Sequence, residues 1–198
     1  MARCLCQSTY LKFLEVDQSV QKLFGEVRQL GFVSKDIDRS MHHFVEAWGI
    51  GPWYVVRQLE CSACVNGEPT VLNLSIALSH CGGLQFEIIQ QHNDTPSVYL
   101  EALAGRPGLH LQHLAVWSDD CATIRSAAED RGWQAVFASK PGPGESSYLV
   151  HSDAPQICIE VSDRCSWKES ARALVRECAN DWNGEEPVRE GLPEGPEG

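Results

Sequence analysis

The sequence predicts an α+β fold built from two βαβββ modules and a C-terminal helix, and three observations predict it. Two segments repeat each other: Gln29-Leu30-Gly31-Phe32-Val33-Ser34-Lys35-Asp36 and His113-Leu114-Ala115-Val116-Trp117-Ser118-Asp119-Asp120 each run from a polar side chain through apolar residues to Ser and Asp. A carboxylate inside an apolar, strand-like run follows each copy, in Gln85-Phe86-Glu87-Ile88 and Cys158-Ile159-Glu160-Val161. The order strand, helix, three strands then recurs after each copy begins.

Residues 1–25 read as an N-terminal helical extension, with Leu11, Leu14 and Leu23 at helix-like intervals over about Gln7 to Phe24. The first module covers 26–92. It opens with a strand from Val27 to Ser34, then a helix capped by Asp36 or Asp38 that runs to about Trp48 and is broken by Gly49-Ile50-Gly51-Pro52. Trp53 to Leu59, Val71 to Ser79 and Leu84 to Gln90 are β-branched or alternating runs, divided by a turn-prone CSACVNGEP loop and by Cys81-Gly82-Gly83. Residues 93–108 form a linker rich in turn formers. The second module covers 109–163: a strand from Leu109 to Trp117, a helix from Asp119 to Arg131 stopped by Gly132, and strands at Gln134 to Ala138, Ser147 to His151 and Gln156 to Ser162. An amphipathic helix follows within 164–183, with Leu174 and Cys178 on one face. The tail, 184–198, carries five Glu and one Arg among Pro and Gly, and is expected to be disordered.

Composition bounds the function. The net charge of −11 opposes attraction to phosphate backbones or anionic lipid, so neither nucleic acid nor membrane is expected as a partner. Nine cysteines, an odd number, without a signal-peptide core or a membrane-length apolar run, point to a reducing cytoplasm. Cys61-Ser62-Ala63-Cys64 has the spacing of a zinc knuckle, but no second pair completes a site, and it reads as a loop carrying two thiols. No glycine-rich phosphate loop or nucleophile elbow is present.

Alternate residues of a strand share a face, so Gln29 groups with Val27, Gly31 and Val33, and His113 with Leu111, Ala115 and Trp117. If each module's helix covers Leu30 and Phe32, or Leu114 and Val116, the Gln29 and His113 faces line an open side, where Glu87 and Glu160 can join them. Taken singly, a strand Gln or His is more often structural. An ionised Glu among Phe86, Ile88 and Ile89 is costly unless paired or metal-bound. Two such Glu, with Gln and His at equivalent repeat positions, favour a metal site of Gln29, Glu87, His113 and Glu160. Trp53, Tyr54, Trp117, Phe137 and Tyr148 are expected to line the cup, and His110 is a weaker supporting candidate.

These features, VRQLGFVSKDIDRSMHHFVEAWGIGPWYV, LQFEIIQ, GLHLQHLAVWSDD and QICIEVSD, resemble the vicinal oxygen chelate superfamily, which includes glyoxalase I, methylmalonyl-CoA epimerase, extradiol dioxygenases and bleomycin-resistance proteins. The resemblance implies eight strands curving round a metal cup, with ligands from the first and last strands of each module, which map onto Gln29, Glu87, His113 and Glu160. That ligand set looks most like glyoxalase I, whereas the GIGPW segment looks like proteins near methylmalonyl-CoA epimerase. The implied activity is a metal-dependent lyase or isomerase acting on a small carbonyl or thioester substrate through an enolate or enediolate. Glu160 is then the first choice for base and Glu87 serves the opposite face; the divalent metal is Zn, Ni, Co, Mn or Mg, and a homodimer is possible. The alternative is a metal-free small-molecule binding or sequestering protein on the same scaffold.

Overall fold

The computed structural model describes residues 22–140 and 144–193. The expected N-terminal helix lies almost entirely outside them, and its last residues, 22–24, are not helical. Both modules form as expected. The first comprises β1 (Val27–Val33), α1 (Ile37–Trp48), β2 (Trp53–Val65), β3 (Glu68–Cys81) and β4 (Leu84–Gln91). After α2 (Val98–Leu103), the second comprises β5 (His110–Ser118), α3 (Cys121–Glu129), β6 (Trp133–Lys140), β7 (Ser146–His151) and β8 (Ala154–Asp163). Last come α4 (Ser166–Asn180) and a ninth strand, β9 (Val188–Glu190).

Local chemistry explains the boundaries. The Asp36 carboxylate accepts from the Arg39 N–H at 3.0 Å and starts α1, a cap worth about 1 kcal/mol. Gly49 ends the helix in the left-handed conformation, where a glycine meets no Cβ penalty. Asp120 caps α3 in the same way, through the Thr123 N–H, so the shared Ser and Asp of the two repeats start equivalent helices. Each helix covers the sheet face expected of it: Ile37, Met41 and Phe44 pack on Phe86, Ile88, Leu30 and Phe32, and Ala128 of α3 packs with Val116, Ile159, Val161 and Leu114.

The two modules meet along β1 and β5, which run antiparallel with Leu30 opposite Leu114, Gly31 opposite His113 and Gln29 opposite Ala115. Outward from this seam, β1 pairs in parallel with β4 and β5 with β8, so the halves are related by a pseudo-two-fold axis. A second seam joins them: Ser62 to Val65 of β2 pair with Phe137 to Lys140 of β6, which closes the eight module strands into a ring. At one end its interior is filled by Leu72, Leu74, Phe137 and Tyr148, with Tyr99 and Leu103 of α2 inserted among them.

Three expectations are corrected. The Cys61-Ser62-Ala63-Cys64 stretch is not loop but strand; the turn is only Asn66-Gly67, whose φ values of 49° and 90° make the tight primed hairpin that Asn-Gly favours. The linker 93–108 contains α2, capped by the Ser97 hydroxyl, which accepts from Leu100 N–H. The tail is not disordered over its described part: β9 pairs in parallel with Trp53 to Val55, because three backbone hydrogen-bonding positions on β2 are left open there and strand pairing offsets the poor composition. In α4, Lys168 and Val175 are buried, and Leu174 and Cys178, expected on one face, are both half-buried. Among the described residues, no helix is long and apolar enough to cross a membrane.

Candidate metal centre

The strand pairing lays out the centre in two rows across the sheet. One row places Glu87 of β4, Gly31 of β1 and His113 of β5 side by side; the next places Gln85, Gln29, Ala115 and Glu160. The pseudo-two-fold axis exchanges Glu87 with Glu160, Gln29 with His113 and Gly31 with Ala115, which is the sequence repeat seen in space. All four expected ligands therefore face the interior of the ring.

Three of them converge. One ligand atom each of Glu87, His113 and Glu160 lies within 4.8 Å of the others. His113 is buried; its Nε2 lies 3.0 Å from Glu160 Oε2 and 3.4 Å from Glu87 Oε2. Neither approach has hydrogen-bond geometry, so Nε2 is an orphaned buried nitrogen facing two carboxylates. On the other side of the ring, Nδ1–H donates to Gln112 Oε1 at 2.7 Å, which fixes the tautomer and leaves the Nε2 lone pair toward the carboxylates. That arrangement is repulsive unless a cation sits there. A proton or a metal ion satisfies it, and two carboxylates with one neutral imidazole balance a divalent charge.

Gln29 is close by but differently engaged. It is buried, and its amide N–H donates to Gln85 Oε1 at 2.8 Å, while Gln85 in turn meets His80 Nε2 at 3.3 Å. This chain orients the Gln29 amide and leaves its oxygen without a hydrogen-bond partner among the described residues. Glu160 is anchored by the Ser146 hydroxyl, which donates to Oε1 at 2.6 Å. Glu87 has only His113 as a partner among the described residues and is the most exposed of the three, at 14% of its side chain.

Proton binding follows from these contacts. Burial alone would lower the His113 pKa, but Glu160 and Glu87 outweigh it and hold the imidazolium up to about 9. Burial pushes the Glu160 carboxyl up, but His113, with Ser146 and Lys168, outweighs it and brings it down to about 2. The sign of the linkage is fixed: the charged His113 contributes stability to metal-free protein that is fully present below its unfolded value of roughly 6.5 and lost as pH rises through about 9. Urea titrations of metal-stripped protein are therefore expected to show falling stability between those limits, and added divalent metal is expected to flatten the loss because it replaces the departing proton. A stability constant over that window would remove the proposed His113 charge.

The cavity above the carboxylates measures about 260 Å³. Val56, Leu59, Ile76 and Leu78 form its apolar wall, Gln29, Gln85, Glu87 and Glu160 its polar floor, and Trp167, Lys168, Ala171 and Arg172 of α4 its cover, with Leu192 at the edge. Most of the expected aromatic lining lies elsewhere: Trp53 packs under α1, Phe137 and Tyr148 fill the closed end, and Tyr54 meets Arg189. The long β2–β3 hairpin supplies aliphatic side chains in their place. His110 also turns away, to the Pro107 carbonyl.

Two supporting residues escaped the strand-parity argument. Gln112 should face away from His113, but the register steps from Gly31 opposite His113 to Phe32 opposite Leu111, so Gln112 is the extra residue of a β-bulge and turns toward the imidazole. The same bulge sends Leu111, expected inside, to the surface. Gln85 was legible in principle, since it lies two residues before Glu87 on the same face. His80, expected to be solvated, is buried; burial pushes its imidazole down to about 4, with Arg176, Arg28 and Arg172 adding to the effect.

The profile of the Glyoxalase/Bleomycin resistance protein/Dioxygenase superfamily matches residues 28–150. Among solved structures, methylmalonyl-CoA epimerase from Mycobacterium tuberculosis is similar at 16% identity and a TM-score of 0.52, covering 76% of this chain and 95% of that one. A Streptomyces coelicolor methylmalonyl-CoA epimerase variant in complex with 2-nitronate-propionyl-CoA is similar at 14% identity and a TM-score of 0.51, covering 71% and 95%. The hypothetical protein BH1468 from Bacillus halodurans C-125 is similar at 13% identity and 0.50, with the same coverage. No curated protein sequence matches significantly. At these identities the structures speak for the fold alone, while the profile, the duplicated modules and the ring they form establish the family: this chain belongs to the Glyoxalase/Bleomycin resistance protein/Dioxygenase superfamily, the vicinal oxygen chelate proteins.

Proposed function

We propose that the protein is a metal-dependent isomerase or lyase of the glyoxalase and epimerase kind, acting on a small carbonyl or thioester compound. The observation that carries the reading is His113 Nε2, buried, tautomerically set and aimed between two carboxylates. Gln29, Glu87, His113 and Glu160 are the residues that would hold a divalent ion, and when bound that ion supplies Lewis acidity to the substrate carbonyl oxygen. The chain's own residues do the rest. The apolar wall of β2 and β3 excludes water from the carbonyl, and Gln85 holds the Gln29 amide oxygen toward the same space.

Glu87 is the better placed to move the proton beside the carbonyl, because it lines the cavity and carries few competing contacts. Glu160, the first choice from sequence, is tied to Ser146 and drawn toward the acidic range, which weakens it as a base and suits it to ligation or to the opposite face. The experiment is metal analysis of protein purified without a His-tag, before and after loading, followed by solvent-deuterium exchange into 2-oxo acids, hemithioacetals and acyl-CoA thioesters. About one divalent ion per chain and metal-dependent exchange into one class are expected. Failure to retain metal, with small-molecule binding but no exchange, would identify a binding or sequestering protein instead.

A further inference from the structure

We propose that the α4-covered end of the cavity is a carboxylate-recognising subsite centred on Arg172, with Arg28 adding positive charge beside Trp117, so that the substrate is a small carbonyl acid rather than a neutral carbonyl compound. The proposal deepens the function above and rests on it for the position of the carbonyl end.

Arg172 lines the cavity from α4 and sits over Trp117, with its guanidinium carbon 3.8 Å from the ring centroid. Its side chain is only 11% exposed. Nη1 donates to Glu169 at 3.1 Å and to the Asp163 carbonyl at 3.4 Å, and Nη2 donates to Ser162 Oγ at 3.2 Å. The Nε–H and one Nη2–H have no partner among the described residues, and two N–H donors on one guanidinium match the two oxygens of a carboxylate. Glu169 does not neutralise Arg172 alone, because it also lies 3.8 Å from Arg164. Glu169 meets only the Nη1 side of the guanidinium, and the spare Nε–H and Nη2–H on a cavity wall are costly unless an acceptor meets them.

A second cation arrives by a backbone device. Arg28 should point away from Gln29, but the register steps from Val27 opposite Val116 to Gln29 opposite Ala115, so Arg28 is an extra, bulged residue. Its guanidinium accordingly stands 5.6 Å from the Trp117 centroid; Nη1 donates to the exposed Glu26 carboxylate at 2.9 Å, and the other N–H groups have no hydrogen-bond partner among the described residues. Arg28 is the repeat counterpart of Gln112, the bulged residue that supports His113. The two bulges thus re-aim equivalent positions toward opposite tasks. Arg176, one turn beyond Arg172, makes no ion pair among the described residues, and all three guanidiniums bear on His80. Trp117 Nε1 and His80 Nδ1 are both buried without a hydrogen-bond partner in this neighbourhood. Lys168 is not part of the subsite, since its ammonium is committed to Asp163, Ser162 and the Glu145 carbonyl.

The test is isothermal titration calorimetry on full-length protein stripped of metal, so that no ion contributes to anion binding. Malonate, malonamide and inorganic phosphate are the probes. Malonate is expected to bind about tenfold or more tightly than malonamide, the range for hydrogen bonds to a charged group. Arg172→Gln is expected to abolish that preference, Arg172→Lys to retain part of it, and Arg28→Gln to reduce it by about threefold or more. Equal affinity for malonate and malonamide overturns the proposal, as does a folded Arg172→Gln protein with its preference intact; phosphate binding more tightly than malonate overturns the carboxylate assignment. Should Arg172→Gln fail to fold, an unchanged preference in the partly exposed Arg28→Gln variant is the overturning result. Because the metal is absent throughout, failure here leaves metal retention and exchange untouched, and failure of those leaves this result standing.

Discussion

Glu160→Gln is expected to cost the protein its divalent metal and to slow proton exchange by about 10²- to 10⁴-fold, the range for loss of a positioned acid or base together with its charge. The substitution is nearly isosteric, so Ser146 can still hydrogen-bond to the side chain and the strands need not move. What changes is charge. His113 Nε2 then faces one carboxylate instead of two, and one negative charge no longer balances a dication. His113 should also titrate lower, because Glu160 is the strongest partner holding it up. Metal content by elemental analysis and the His113 titration by NMR read the two effects separately. Wild-type metal content in Glu160→Gln, and equally in His113→Ala, would remove the metal centre from the account.

Gly31→Ala is expected to be as damaging, although it adds only a single methyl group and removes no charge. The new Cβ would fall within the His113 ring, against Cε1, Nε2 and Nδ1, closer than side chains approach. The imidazole cannot step aside, because it is buried, bonded to Gln112 and packed edge-on against Tyr148 at 5.0 Å. Overpacking of a closed core costs about 1–3 kcal/mol or more, and here the displaced group is the proposed ligand. Metal affinity and the urea midpoint should therefore fall together. A variant of wild-type stability that still retains metal would show that the ring moves freely. The repeat explains why the constraint is one-sided: Ala115, the counterpart of Gly31, is tolerated because Gln29 turns to Gln85 and leaves that space open.

Much of this was legible in the sequence because side-chain parity and helix capping are local. The Ser and Asp after each repeat start helices by the same hydrogen bond, and alternation correctly put Leu30, Phe32, Leu114 and Val116 under those helices. Glu87, His113 and Glu160 met because two parallel pairings flank one antiparallel seam. What escaped was set by register. Nothing in the residues of Arg28 or Gln112 marks a bulge; each is visible only once the opposing strand is aligned. The tail was misjudged for a related reason: its composition is poor, but an open edge of β2 fixes Val188 to Glu190 regardless. The cup lining was misassigned because alternation gives the face of a side chain and not its depth in the ring: Val56, Leu59, Ile76 and Leu78, all within the expected strands, line the cavity, while Phe137 and Tyr148 fill the closed end and Trp53 packs with α1.

The β2–β6 pairing has a mechanical consequence. Two halves joined along one edge can flex like a clamshell, admitting a molecule between them; halves stitched along both edges form a hoop, and widening it would sever backbone ladders at Ser62–Val65 or at the central seam. Traffic into and out of the interior is thereby confined to the hoop's open end, where the obstacles among the described residues are Leu192 and, on a helix that belongs to neither repeat, Trp167, Arg172 and their neighbours.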